Sequence, residues 1–466
     1  MSGPLWLVPD GCSEALPQLD GTLLDVCAAA VHPDEIAAVL ESEGLTDEQV
    51  RELYGHPSVF ELAAELYERS PRSHPEPPPA PDPWRTDAWR CLLRGVLFAL
   101  PGLGYVLGAR LLPTGEPDVF GLPAGGALLA VSVLFGWAWN QALAHRAYVL
   151  LGSGDGGRAA AARCLLTGAV LGALAVAVPA LAVPGKAAAG LFAAGQSCYL
   201  GAATVLLVLG GERLLLAALA PTVLGAALLA VAGVPDTAAA VLLTATVALA
   251  VLSAGGVAGR ALVEEWAARP RAERAVTVRL VPSPPAAACL PYGLFGLAAG
   301  LLTLTTAVGG ILRHGPGTPL AGTATLALTL GMGGAEWLLY QVRGRALTTL
   351  RRCRTPLGFR AAAAGVLLTA LAAYLALLAA LGLVLRQPPG PLLALGAVLW
   401  LALLLQALGT AWPPALICAG AAALELALLG TDTAGPATAQ LTVAGGAGVV
   451  LLALATAVLG RATAHR

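Results

Sequence analysis

Residues 361–385 read AAAAGVLLTALAAYLALLAALGLVL, a run with no charged side chain and one tyrosine. A helix of that length rises about 37 Å at ~1.5 Å per residue, more than the ~30 Å hydrocarbon thickness of a bilayer. It has no polar face to turn toward water, so it predicts a helix surrounded by lipid and other helices. Working outward, stretches of the same kind lie at 91–112, 121–143, 161–183, 187–209, 214–233, 237–258, 286–311, 318–340, 391–410, 413–429 and 438–459, separated mostly by short loops. The fold class expected is therefore all-α: a polytopic membrane bundle of about 12 transmembrane helices in two six-helix halves, preceded by a small N-terminal cytoplasmic helical module.

Charge agrees with that reading. Only 12% of residues are charged against 57% hydrophobic, whereas soluble domains carry about 25% charged residues. The formal net charge of −1 hides two opposite parts. Residues 1–74 hold 14 Asp and Glu against Arg51, Arg69 and Arg72; the rest holds 24 Arg and Lys against 14 acids. With the N-terminus in the cytoplasm, Arg110, Lys186, Arg313 and Arg386 alone among those 24 lie outside. That is the bias expected of inside-positive loops. It predicts a bacterial inner-membrane protein with both termini cytoplasmic, embedded among membrane lipids. The acidic head argues against a nucleic-acid partner. Residues 1–11 have neither a basic start nor a sufficient apolar core for a cleavable signal peptide, so the first span is expected to direct insertion.

Metal and disulfide chemistry find no support in the pattern. The 8 cysteines form no CxxC pair and the 6 histidines are scattered singly, so no metal site, disulfide framework or cofactor is expected.

The organisation expected along the chain is an acidic cytoplasmic module (1–70), a proline-rich linker (71–88), a first membrane half (89–259), a cytoplasmic connector (260–285), a second half (286–460) and a short cytoplasmic tail (461–466). In the module, Pro33 suits the first position of a helix whose stripe is Ile36, Val39 and Leu40, with Gly44 as its left-handed stop. Thr46 with Gln49 and Ser58 with Glu61 read as capping boxes for two further helices. The last is expected to bury Phe60, Leu62, Leu66 and Tyr67. So small a core leans on the membrane domain or on a cytoplasmic protein partner. Trp84 and Trp89 suit the membrane interface before the first span. In the connector, five arginines with Glu264, Glu265 and Glu273 flank an amphipathic stretch through Trp266, expected to lie on lipid headgroups. Between the halves, Gly95 and Gly293, Gly136 and Gly334, and Trp139 and Trp337 match at an offset of 198 residues. A duplication with six spans per half gives parallel repeats related about the membrane normal.

Ionisable groups inside a span cost about +2.5–3.5 kcal/mol at its centre, so each is a functional candidate. Glu336 and Glu425 are the two carboxylates read within spans. Glu336 either couples transport or meets a cationic substrate group, or it forms an ion pair, with Arg94 of the first span as a nearby partner. Tyr340 lies one turn on. Arg94 either anchors orientation or offers charge to a phosphate-bearing substrate. Asn140 and Gln141 face different sides of the second span, so one of them faces protein. Gln196, with Ser197 and Tyr199, makes a polar cluster in the fourth. The candidate substrate-binding or coupling set is thus Glu336, Arg94, Asn140, Gln141, Gln196, Tyr340 and Glu425.

The arrangement over 88–460 resembles the multidrug/oligosaccharidyl-lipid/polysaccharide exporter superfamily. The likeness lies in two six-span halves with a connector, in the first span from Arg94-Gly95 through Leu103-Gly104 to Ala109-Arg110-Leu111-Leu112, and in Gln196-Ser197-Cys198-Tyr199 with Leu209-Gly210-Gly211-Glu212-Arg213. The resemblance implies alternating access of two lobes around a central cavity, moving lipid-linked sugars or hydrophobic cations, with Arg94, Gln141, Gln196 and Glu336 near that cavity. The function expected is a transporter or flippase of a lipid-linked or amphiphilic substrate and not an enzyme. The rival is a membrane scaffold whose acidic head recruits a cytoplasmic partner.

Overall fold

The computed structural model describes residues 26–70, 88–112, 115–154, 156–268, 284–318, 320, 322–431 and 433–461. The chain divides into two compact units, residues 1–82 and 83–466. The linker expected at 71–88, apart from residue 88, and most of the connector, 269–283, lie outside the described residues.

The first unit contains α1 (Pro33–Ser42), α2 (Asp47–Leu53) and α3 (Val59–Arg69). Their limits follow the local chemistry. Gly44 and Gly55 take φ of +92° and +72°, a conformation that L side chains disfavour. Thr46 and Gln49 form a reciprocal capping box, and the Ser58 hydroxyl accepts the Glu61 N–H. Asp47 Oδ1 accepts the Val59 N–H at 2.8 Å and ties α2 to α3. Ile36, Leu40, Val50, Val59, Leu62 and Leu66 form one buried cluster. Phe60, expected inside, is 54% exposed. The inward stripe is Val59, Leu62, Ala63 and Leu66, at 3–4 spacing, and Phe60 stands about 100° around the helix from it.

Every regular element described in the second unit is also helical. They are α4 (Ala88–Ala99), α5 (Gly102–Gly108), α6 (Gly126–Leu151), α7 (Gly157–Leu181), α8 (Ala187–Val208), α9 (Glu212–Ala218), α10 (Ala220–Val231), α11 (Asp236–Ala268), α12 (Ala286–His314), α13 (Gly322–Arg352), α14 (Pro356–Val384), α15 (Pro389–Ala407), α16 (Trp412–Gly430) and α17 (Pro436–Leu459), with short 3-10 turns at Ala109–Leu111 and Val119–Gly121. Among the described residues, 11 helical segments are long and apolar enough to cross a membrane, counting α4 with α5 and its following turn, and α9 with α10, as one each. The eighth expected span is a 31-residue helix, α13. It has the length to cross but is less apolar than the others, because glycines, threonines, Glu336 and a run of arginines occupy it. Its flanks are buried against α4, α12 and α14.

Two expected spans are broken. The first bends after Ala99, where Pro101 has no N–H to give and its ring crowds the preceding turn. The fifth breaks at Leu219, just ahead of Pro221. The sixth runs further than expected, through Trp266 to Ala268, and Arg163 Nη1 meets Glu265 Oε2 at 3.1 Å on that extension.

The packing is that of a protein in lipid. Leu and Val cover the outside, as at Leu383 (81% exposed) and Val178 (65%), while buried contacts use alanine and glycine, as at Ala159, Ala161 and Ala162 of α7. Apolar tails give no drive to hide leucine, and small residues bring helix backbones close.

Two large cores form separately. One is drawn from residues between Leu97 and Ala261, the other from residues between Phe295 and Leu459. Between them runs a seam of two helix pairs, α4 with α13 and α6 with α12. In chain order these are spans 1 with 8 and 2 with 7, the pairs that the expected duplication would exchange. Backbone meets backbone in the seam. A Cβ on Gly333 would stand 2.5 Å from the Cys91 carbonyl oxygen, and one on Gly296 2.6 Å from that of Trp137. Gly95 and Gly293, matched at the 198-residue offset, both lie in it, against Gly333 and Ala138.

The two pairs differ in extent. The α6–α12 contact runs from Leu122, Val308 and Ile311, through Gly300 against Leu134 and Trp137, to His145 stacked on Tyr292 with ring centroids 3.6 Å apart. The α4–α13 contact involves Cys91, Leu92 and Gly95, in the part of the first span that precedes Pro101. Beyond the proline, α5 packs on α10 and α11, with Leu107 against Gly225 and in a cluster with Val234 and Ala239.

Candidate functional site

The start of α4, the end of α6, the start of α9 and the middle of α13 meet toward the end of the bundle that also carries Arg158, Arg213, Arg260 and Arg345. Here Arg94 reaches two carboxylates. Its Nε donates to Glu212 Oε1 at 2.7 Å, its Nη2 donates to the same oxygen, and its Nη1 donates to Glu336 Oε1. Arg90 adds a longer contact of 3.6 Å to Glu212 Oε2. Tyr340, one turn after Glu336, and Tyr148 of α6 lie in the electrostatic field of this pair. The side chains of Arg94, Glu212 and Glu336 are 26%, 11% and 21% exposed, so the ions are mostly removed from solvent. Pairing offsets the cost of burying each charge.

Glu336 meets Arg94, the partner named in one of the readings of Glu336 from sequence; the two readings of Arg94 itself, an orientation anchor or a charge for substrate, do not include this ion pair. Glu212 was missed. It sits in the first turn of α9, a favourable place for an acid, but at the lip of a span and away from its apolar body. Only the fold brings it to Arg94, 118 positions earlier.

Asn140, Gln141, Gln196 and Glu425 make their contacts elsewhere. Asn140 Nδ2 donates to the Gly136 carbonyl at 2.8 Å, and its Oδ1 accepts from Thr204 Oγ1 at 3.0 Å, so it ties α6 to α8 within the first core. Gln141 points the other way, its stem against Gly296 across the seam, and is exposed. Gln196 belongs to a relay: Tyr105 Oη donates to Gln196 Oε1 at 2.5 Å, and Gln196 Nε2 donates to Ser132 Oγ at 2.9 Å. Tyr105 and Ser132 were not singled out from sequence, because a hydroxyl in a span signals nothing without its partner.

Glu425 is 1% exposed in α16, and its Oε2 has no hydrogen-bond partner. It lies beside Thr305 of α12, near which Thr306 Oγ1 and Gln440 Nε2 also converge on the Leu302 carbonyl, at 3.0 and 3.4 Å. The Thr305 hydroxyl itself donates to Leu302 O at 3.0 Å. Trp139 Nε1 donates to Gly168 O at 2.8 Å, and its indole fills the space over Gly172, a packing role.

At the opposite end, Asp118 (side chain 4% exposed) pairs with Lys186. Burial alone would raise its carboxyl, but the Lys186 ammonium and the Ala127 and Gly125 amides hold it below the ordinary carboxylate range. No group of three or more His, Cys, Asp or Glu side chains with metal-holding geometry occurs among the described residues.

These features define a multi-pass helical membrane protein with an ion cluster bridging its two cores. No family profile matches the chain, and no curated protein matches it in sequence. Among solved structures it is similar to one described as a MATE in complex with MaL6, at 14% identity and a TM-score of 0.45, over 81% of this chain and 97% of that one.

Proposed function

We propose that this protein is a bacterial inner-membrane transporter or flippase that moves a lipid-linked or amphiphilic substrate by alternating access of residues 89–259 against residues 286–460. One observation carries the reading: each part buries its own core, and a seam of two helix pairs with one ion cluster joins them. Two bodies with separate cores can rock about their shared seam without either core being taken apart. The α6–α12 contact runs the length of the seam and serves as the axis. The α4–α13 contact sits toward the arginine-rich end, taken as cytoplasmic, and serves as a closure. A substrate path then opens toward the other side between α5 and the start of α13. Gln141 at the seam and the Tyr105–Gln196–Ser132 relay are the polar groups offered to the substrate. Glu425, buried in α16 with its Oε2 unpartnered, is the coupling candidate away from the seam.

The test is mass spectrometry of polyprenyl- and lipid-linked glycans in a strain lacking the protein against its parent. Accumulation of one species on the cytoplasmic side supports the flippase and names its substrate. An unchanged pool turns the reading to a scaffold. That alternative is favoured by one feature, a head with a core of its own and 14 acids in 74 residues, suited to a basic cytoplasmic partner. Deleting residues 1–83 separates the two: a scaffold loses all function and a transporter keeps its activity.

A further inference from the structure

Arg94 is shared unequally, and the inequality says which contact breaks when the halves part. Two of its nitrogens are committed to Glu212, which belongs to the same core-bearing half, and one crosses the seam to Glu336. Arg90 also approaches Glu212 and leans the acid further toward the first half. We propose that Glu212 is a positioning residue: it holds Arg94 on the first half, so that Arg94–Glu336 is the bond that opens and closes the cytoplasmic side. The inference rests on the reading of two moving halves and adds the device that gates them.

The physics is a competition for one guanidinium. An arginine can serve two carboxylates because its donors lie in a fixed planar fork. With Glu212 in place, separation leaves Arg94 neutralised on its own side and strands Glu336, which must find another cation, a proton or water. That stranding sets the energy of opening. Without Glu212 the arginine has Glu336 as its principal acid. The cross-seam bond then has no rival, the closure tightens, and Arg94 on opening would be the stranded charge. The two carboxylates therefore act in opposite senses although they touch the same side chain. A role in packing alone gives no such opposition, because loss of either acid would loosen the same cluster.

A reporter is already built in. Cys91 is 1% exposed, on α4, with its carbonyl oxygen against Gly333 across the closure. The experiment is the rate of N-ethylmaleimide alkylation of Cys91 in membranes, followed by peptide mass spectrometry, for wild type, Glu336→Gln and Glu212→Gln. Glu336→Gln is expected to speed alkylation by about ten-fold or more, since a buried ion pair has lost one partner. Glu212→Gln is expected to slow it below wild type. Faster alkylation in both variants, or no change in Glu336→Gln, overturns the proposal. Should either variant be absent from the membrane, Glu336→Asp and Glu212→Asp shorten each arm while keeping the charge and carry the same opposed signs, more weakly. Alkylation reads the closure without any substrate. Opposed signs in a protein that moves no lipid would sustain this inference and remove the transport reading.

Discussion

Adding one methyl group at Gly333 tests the seam most directly. A Cβ there would stand 2.5 Å from the Cys91 carbonyl oxygen and 3.0 Å from Leu92 Cα, and ordinary contact begins at 3.4 Å. Both obstacles are backbone, so no rotamer relieves them. The α4 and α13 backbones must part locally by about the 0.9 Å difference. Overpacking of a close interface costs about 1–3 kcal/mol. Against it stands the gain of alanine over glycine inside a helix, roughly 0.5–1 kcal/mol. The net effect expected of Gly333→Ala is a loss of about 1–2 kcal/mol in the closed form. Parting the helices also draws Glu336 away from Arg94. The control is Gly365→Ala in α14, where an added Cβ meets nothing within 4 Å and the helix gain acts alone. Unfolding of both variants in detergent, followed by tryptophan fluorescence, should show Gly333→Ala below wild type and Gly365→Ala at or above it. Equal behaviour of the two would refute the claim that the halves meet backbone to backbone at this point.

Other expectations follow from the same geometry. Glu425→Gln should insert and accumulate like wild type, because an amide of the same shape takes the carboxyl's place, while a coupled transport assay should lose its dependence on the driving ion; reduced abundance instead would show that the carboxyl is structural. Asp118→Asn should destabilise the protein at neutral pH. The Asp118 carboxyl is depressed in the fold, so its contribution is present above the unfolded value near 3.9 and fades as pH falls through the folded one; acid titration of melting should accordingly be shallower in the variant below about pH 4. Thr46→Ala removes the α2 capping box, worth about 0.5–2 kcal/mol, and hydrogen exchange of the α2 amides in the full chain should quicken, with those of α17 unchanged.

Much of this architecture was legible because its determinants are local. The caps at Thr46 and Ser58, the left-handed stops at Gly44 and Gly55 and the long apolar runs each state their structure within a few residues. Arg94 and Glu336 were legible for a different reason: charges in spans are few, so each has few possible partners. Glu212 was not, since it opens a span where an acid needs no explanation. The seam glycines were also hidden. With 56 glycines in the chain, nothing in the spacing distinguishes Gly333, which backbone touches, from Gly365, which faces open space. Phe60 was misread because volume was weighed above phase; Val59, one position earlier, lies on the inward stripe and takes the buried place.

That the two cores share no residue also bears on how the chain can be made. A ribosome completes residues through Ala268 before the partner core exists, so the first core can assemble while the rest is still unsynthesised, and α4 and α6 find their seam partners α13 and α12 only afterwards. Two polypeptides, broken between Ala268 and Ala286 and translated from separate messages, should therefore find one another in the bilayer and restore the intact protein. A gene split there is a practical route to labelling one half alone.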